Sequence, residues 1–308
     1  MSGPLRQKPL ILDFDGSVLP VSDEELRIPL HEWQEDIRFG ASPADYARLR
    51  AYLRERLPST RGPVFTGSGD YHHLTLLLLQ NLAQRQILQP DSLDLVVCDN
   101  HPDNMRYLFG LHCGSWVRHA ALLPCIRHVH VIGVTSDDIG IRHAWENYLS
   151  PFVRKKLTYW SVKTKAGWLS LIGRKAYGRC FSSADALVNA FLPVLRASRS
   201  IYLSIDKDVL LPDVARTTWD QGVFDCRHLE AVISACRERL IGTDITGDVS
   251  AYAFTGCFKR FLIRLEGQTP FDAEKMDVWR KSQQRMNRKI LAALEGGMPE
   301  YCPHFTQK

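Results

Sequence analysis

The chain has 308 residues, a formal net charge of +5, 45% hydrophobic and 24% charged residues, the proportions of a soluble globular protein with a sizeable core. Its eight cysteines are scattered without a C-x-x-C pair, which fits reduced thiols in the cytoplasm rather than a disulfide framework or a structural zinc site. The charge is modest and no run of five like charges occurs, so the basic stretch "RKK" (154–156), interleaved with Tyr159, Trp160 and Trp168, reads as a solvated face and not a nucleic-acid surface.

The first apolar run, "PLILDF" (9–14), delivers Asp13 and Asp15 to a turn at Gly16. Asp13 interrupts that run too early for a signal peptide. The stretch "LILDFDGSVL" has the look of a phosphatase nucleophile loop, but that chemistry needs a lysine before its acidic metal pair. Between Gly16 and Ser136 there is none, and arginine is a poor substitute for a compact ammonium charge. The stretch is therefore expected to be the first strand, with Asp13 and Asp15 in a turn or at the rim of a pocket. Helical periodicity follows at 43–57, then an apolar run at 63–67 and a helix at 72–86. The run "LTLLLL" within that helix ends at Gln80, far short of a membrane span. Further apolar runs at 93–98, 128–134, 200–205 and 239–245 alternate with helical segments at 183–197 and 227–240, and a long amphipathic helix at about 272–295 closes the series. Short continuous apolar strands alternating with helices predict a three-layer α/β/α fold around a central, mainly parallel sheet. The expectation is one α/β domain over 1–308, with an N-terminal helical insertion at about 22–57.

In such sheets ligands collect at the carboxyl ends of the strands. Three apolar runs end in polar clusters: Ser68-Gly69-Asp70-Tyr71-His72-His73, Asp99-Asn100-His101-Pro102-Asp103 and Asp206-Lys207-Asp208. A single Asp-x-Asp after a strand is ordinarily a turn or a helix cap, and a His-His pair at a helix start is ordinarily capping or packing. Three such clusters at strand ends are a different matter, because buried like charges are costly without a cation. The carboxylate-rich, thiolate-free set suits Mn²⁺ or Zn²⁺ and leans toward manganese, with enough oxygens for two ions. The histidines at 119, 128, 130 and 143 read as structural, with His128 and His130 expected to straddle the two faces of the sheet.

The clusters "GSGDYHHLT", "DNHPD" and "SIDKD" resemble, in order, the Gly-Gly-Asp-His-Ser, Asp-Ala-His-x-Asp and Ser-x-Asp-x-Asp marks of the ureohydrolase (arginase/agmatinase) family. The resemblance covers roughly residues 63–250 and implies an arginase-like fold with two Mn²⁺ per subunit. Asp99, His101, Asp103, Asp206 and Asp208 carry over as metal ligands. One extra residue separates Asp70 from the histidines, and aligning "HHLT" makes His72 the sixth ligand with His73 in reserve. "LHCGSWVRHA" (111–120) is similar to the segment bearing the family's proton-shuttling histidine, which points to His112, although Cys113 interrupts the motif. "IGVTSDDIG" (132–140) is similar to a loop whose Asp contacts a substrate amino group, in register with Asp138. In "GTDITGDVS" (242–250), Gly247 stands where the family has its guanidinium-binding glutamate, and Asp248 is the acid that could replace it.

The resemblance implies hydrolysis of a guanidino or amidino C–N bond in a small-molecule amine or amino acid, releasing urea or a related amide. Asp208 would relay a proton to the leaving amine, His112 would shuttle protons, and Asp138 and Asp248 would hold substrate. The partner expected is a guanidino small molecule, with no nucleic acid and no membrane, in a cytoplasmic protein able to form homo-oligomers. Two other readings compete. A deacetylase-like metal amidohydrolase of the same superfamily needs fewer carboxylates for its single zinc. A non-catalytic metal-binding relative would account for the altered "GSGDYHH" and the absent glutamate.

Overall fold

The protein is described here from a computed structural model covering residues 7–58, 62–86, 88–256, 259–260 and 275–297. In chain order the strands are β1 (Leu10–Asp13), β2 (Leu26–Pro29), β3 (Gly40–Ala41), β4 (Val64–Gly67), β5 (Leu93–Cys98), β6 (Leu111–His112), β7 (Ile126–Val134), β8 (Leu157–Val162), β9 (Gly178–Phe181), β10 (Ile201–Asp206) and β11 (Leu240–Thr246). β3 and β6 form a small antiparallel patch, and the other nine form one sheet in the order β2-β1-β4-β11-β10-β5-β7-β8-β9. Every neighbouring pair in that sheet is parallel. The helices are α1 (Gln34–Ile37), α2 (Pro43–Arg56), α3 (Leu74–Gln86), α4 (Trp116–Ala121), α5 (Ser150–Val153), α6 (Ala184–Ala197), α7 (Cys226–Cys236) and α8 (Met276–Glu295).

Side chains alternate across the sheet with the period of two that a strand imposes. Leu10, Leu12, Val64, Leu95 and Val97 enter one core, packed under α2, α3 and α4. Ile11, Phe65, Val96, Cys98 and Ile205 enter the other, under α6, α7 and α8. Both faces are thus dry, which is why these strands read as continuous apolar runs and not as alternating ones. Helix starts follow the local chemistry. Ser42 accepts a hydrogen bond from the Asp45 amide with Pro43 at the first turn, Ser183 accepts one from Ala186, and Asp225 accepts two, from Arg227 and His228.

Three strands of the nine-stranded sheet are absent from the sequence expectation. β2 lies at the sheet edge with its residues mostly exposed, so it shows no apolar run, and the segment 22–57 is not wholly helical. β8 is buried throughout but starts immediately after the RKK stretch, whose charges hide it. β9 is the short opposite edge and carries Arg179. His128 and His130 do not straddle the sheet: two residues apart on β7, they share a face, with ring centroids 4.5 Å apart. The C-terminal helix begins at Met276, and residues 272–274 lie outside the described residues, as do Cys257 and Cys302. The six described cysteines are free thiols. Among the described residues no helix is long and apolar enough to cross a membrane.

Candidate metal centre

β5 and β10 are neighbours and β4 lies one strand further on, across β11, so the polar clusters after these strands meet at one end of the sheet. Asp99, His101 and Asp103 leave β5 in a tight loop, with Asp103 in the left-handed region at φ +47°, a conformation aspartate tolerates better than most residues. His72 sits in the turn between the short helical turn Gly69–Tyr71 and α3. Its Nδ1 lies 2.8 Å from Asp103 Oδ2, 3.2 Å from Asp99 Oδ2 and 3.6 Å from Asp206 Oδ2. His101 Nδ1 lies 2.8 Å from Asp208 Oδ2 and 3.7 Å from Asp99 Oδ1. Two donor sets result, His72–Asp99–Asp103 and Asp99–His101–Asp208, each with ligand atoms within 4.8 Å of one another and joined through Asp99. Asp206 stands beside both, its Oδ1 accepting from the Asp208 amide at 3.0 Å.

The electrostatics fit a cation. Four buried carboxylates share this space with two histidines. Burial, then the charges of Asp208 and Asp99, push the Asp206 carboxyl well above its ordinary range, and burial with Asp99 pushes Asp208 up to about 6. The carboxylates Asp103 and Asp99 overcome burial and hold His72 protonated, as Asp208 and Asp99 do for His101. Protons on the two inward-facing Nδ1 atoms therefore occupy the positions that metal ions would take. Among the described residues the buried Asp99 Oδ2 has no partner beyond the 3.2 Å contact with His72 Nδ1, which leaves it capacity to ligate a cation.

A second ring of residues aims His72. Its Nε2 lies 3.0 Å from Ser204 Oγ. Ser204 donates at 2.8 Å to Asp244 Oδ1, which also accepts from Thr75 Oγ1 at 2.9 Å. With the serine hydrogen committed to Asp244, Nε2–H must donate to Ser204, which turns Nδ1 toward the carboxylates. Trp116 Nε1 donates to Asp103 Oδ2 at 2.6 Å. Asp70 accepts from the buried Arg38 at 2.7 Å and from Trp219 Nε1 at 3.1 Å, and Trp219 leans on His101 with centroids 5.9 Å apart. Asp15 joins this bracing: it lies 3.5 Å from Arg38 Nη1 and accepts from Ser250 Oγ at 2.5 Å. Ser204 and Asp244 belong to the Ser-x-Asp-x-Asp and Gly-x-Asp motifs, whereas Arg38 carries no sequence signal of its own.

The centre forms the floor of a cavity of about 690 Å³ whose walls include His112, Asp138, Arg106, Trp145 and Trp219. His112 Nδ1 accepts from the Gly114 amide at 3.0 Å, and its ring packs edge-on against Phe39 and flat against Tyr107. Burial pulls its pKa down to about 4, so it is neutral at pH 7 with the proton on Nε2. Asp138 lines the same cavity, while its backbone is pinned by Ser136 and Asn147. His73 is buried away from the cavity, and burial holds it well below its ordinary pKa.

No family model matches the chain. An uncharacterized protein of Thermotoga maritima is 29% identical over 252 residues, spanning 79% of this chain and 81% of that protein. Among solved structures, arginase from Bacillus cereus superposes with a TM-score of 0.54 at 12% identity, covering 96% of this chain and 100% of that one. Formimidoylglutamase from Bacillus subtilis gives 0.53 at 13% identity, covering 96% and 90%. Proclavaminate amidino hydrolase from Streptomyces clavuligerus gives 0.52 at 14%, covering 94% and 92%. This chain has the ureohydrolase fold.

Within the ureohydrolase fold, one expected site residue is misplaced. Asp248 does not line the cavity. Its Oδ2 lies 2.8 Å from the fully buried Lys207 Nζ, and its Oδ1 accepts from Asn287 Nδ2 at 2.9 Å. It is a structural carboxylate that ties β10 to α8, and it is not free to bind a guanidinium. Nor does the preceding position accept an acid. Gly247 has φ +93°, and a Cβ there would lie 2.7 Å from Asp206 Oδ1 and 2.9 Å from the Lys207 amide. Gly247→Ala is expected to cost about 1–3 kcal/mol from the left-handed backbone alone, read as a lower denaturation midpoint. An unchanged midpoint would mean that the loop has room for a side chain.

Proposed function

We propose that this chain is a cytoplasmic metal-dependent hydrolase that cleaves a guanidino or amidino C–N bond of a small molecule with two Mn²⁺ ions, releasing urea or a related amide. The observation that carries the reading is the pair of donor sets joined through Asp99 on the cavity floor. A carboxylate shared between two three-residue sets suits a binuclear centre better than the single zinc of a deacetylase-like enzyme.

His72 and Asp103 would hold one ion, His101 and Asp208 the other, with Asp99 between them and Asp206 alongside. Bound there, the ions would supply a water of lowered pKa and stabilise developing charge. The remaining work falls to the chain. Asp138 would bind the amino end of the substrate by a charge-assisted hydrogen bond. Asp208 would carry a proton on its carboxyl to the leaving nitrogen. His112, neutral at pH 7, would exchange protons with solvent through Nε2. Trp219, held by Asp70, would keep one wall of the reacting region dry.

A screen of guanidino and formimino compounds for urea, formamide or ammonia release with Mn²⁺ tests this reading. Turnover of at least one compound is expected, with two ions bound per chain. Activity that persisted in Asp103→Ala or Asp206→Ala would sink the binuclear mechanism. A second reading draws on Gly247: with no room for a glutamate, the chain could be a metal-binding relative without turnover. Two ions bound, a raised melting temperature and no product across the panel would favour it.

A further inference from the structure

At the opposite end of the sheet, where β7, β8 and β9 begin, lies a second cavity of about 780 Å³. Its charged and polar lining is Arg127, His128, His130, Lys155, Thr158 and Arg179, backed by Trp160, Tyr177 and the end of α6. Among the described residues no carboxylate lines it. Asp94 reaches Arg127 from beneath, and Lys156 is paired with Asp91 at 2.9 Å. Lys155 and Arg179 have no acidic partner among the described residues. The Arg179 guanidinium lies over the Trp160 ring at 4.6 Å, which holds it at the cavity edge.

His130 adds a directed donor. The Trp160 indole N–H can only donate, and it meets His130 Nδ1 at 3.3 Å. In the neutral ring the proton therefore sits on Nε2, and that N–H makes no hydrogen bond to the protein among the described residues. His128 Nε2 is held 2.8 Å from Thr158 Oγ1. Burial keeps both histidines below their ordinary pKa, helped by Arg127 and Lys156 at His128 and by His128, Arg127 and Arg179 at His130; Asp94 and the Lys155 backbone oppose it at His128. A fixed donor and unpaired cations around a cavity that no carboxylate of the described residues lines form a site for negative charge.

We propose that this cavity binds a small organic anion, through a phosphate or carboxylate head held by Arg179, Lys155 and His130 with a compact apolar body against Trp160 and Tyr177. The site lies at the far end of the sheet from the metal centre and stands or falls independently of the reaction assigned there. The test is titration of the full-length, metal-free protein with inorganic phosphate and, separately, with citrate. Binding is followed by calorimetry and by the histidine Cε1–H signals in NMR. Saturable binding that moves the His128 and His130 signals, raises their titration midpoints and weakens with added NaCl is expected. Phosphate alone would mark a phosphoryl head, and citrate alone a carboxylate head. Arg179→Gln, an exposed change, should lower the affinity at least about tenfold, the loss of one charge-assisted hydrogen bond. Lys155→Gln should act in the same direction. Neither anion moving those signals, or equal affinity in both variants and the parent, would overturn the proposal.

Discussion

Asp206→Asn is expected to cut turnover severely and abolish two-ion binding while leaving the metal-free protein as stable as the parent, or more so. The isosteric amide keeps the acceptor that Asp206 Oδ1 offers to the Asp208 amide at 3.0 Å. What it removes is a carboxylate that burial and its neighbours Asp208 and Asp99 disfavour. A carboxyl whose folded pKa is raised stabilises the fold below its unfolded value of 3.8, and that contribution is lost as pH climbs through the folded value, about 6 for Asp208. His72 and His101, raised above 6.5, follow the same sign. The metal-free cluster therefore loses stability with rising pH, and metal ions displace the protons that compensate it at low pH. The gain in melting temperature on adding Mn²⁺ should grow from pH 5 to pH 8 in the parent and vanish in Asp206→Asn. At a hundred times Kd that gain corresponds to about 2.7 kcal/mol per ion. Losing the several kcal/mol that a metal ion contributes to the transition state lowers kcat/KM by on the order of a thousandfold. A parent protein whose Mn²⁺-induced gain shrank with rising pH would contradict this account of the cluster.

The ligand clusters were legible in the sequence because each is local. "DNHPD" and "SIDKD" place their donors within five residues of a strand end, and a parallel sheet brings such ends together without further instruction. That His72 and not His73 faces the carboxylates was suggested only by alignment, and the geometry supplies a reason: Ser204 and Asp244, more than 130 residues away, hold the His72 ring. Residues that act across such separations leave no pattern along the chain. Arg38 is one of six arginines between residues 22 and 57, and nothing along the chain sets it apart, yet it is buried against Asp70 and Asp15. Asp248 was misread for the complementary reason. Its position beside Gly247 fits a displaced glutamate, and nothing near it in the chain reveals that Lys207 and Asn287 already hold its carboxylate. The sheet edges β2 and β9 escaped because edge strands need no apolar run, and the His128–His130 pair because two residues along a strand return to the same face.

Lys207→Met is expected to cost about 3–5 kcal/mol, the penalty for leaving a buried charge without its partner. Lys207 is fully buried, with Nζ 2.8 Å from Asp248 Oδ2 and 2.7 Å from Asn287 Oδ1, and Asn287 Nδ2 closes the triangle on Asp248 Oδ1 at 2.9 Å. Burial pulls the lysine down and pushes the aspartate up, and each charge opposes the shift of the other. Neither group has another counter-charge within the triangle, so removing one strands the other. The double variant Lys207→Met/Asp248→Leu should recover most of the loss, because apolar pairs of similar volume replace buried ion pairs at little or no cost. Position makes the effect more than structural. Lys207 lies between Asp206 and Asp208, and Gln283 of α8 donates at 3.0 Å to the Gly247 carbonyl, so the same helix grips both sides of the metal loop. Lys207→Met should therefore weaken Mn²⁺ binding as well as lower the melting temperature, with the double variant restoring stability more fully than metal affinity. A single variant as stable as the parent would mean that Lys207 and Asp248 are not an ion pair in the folded protein.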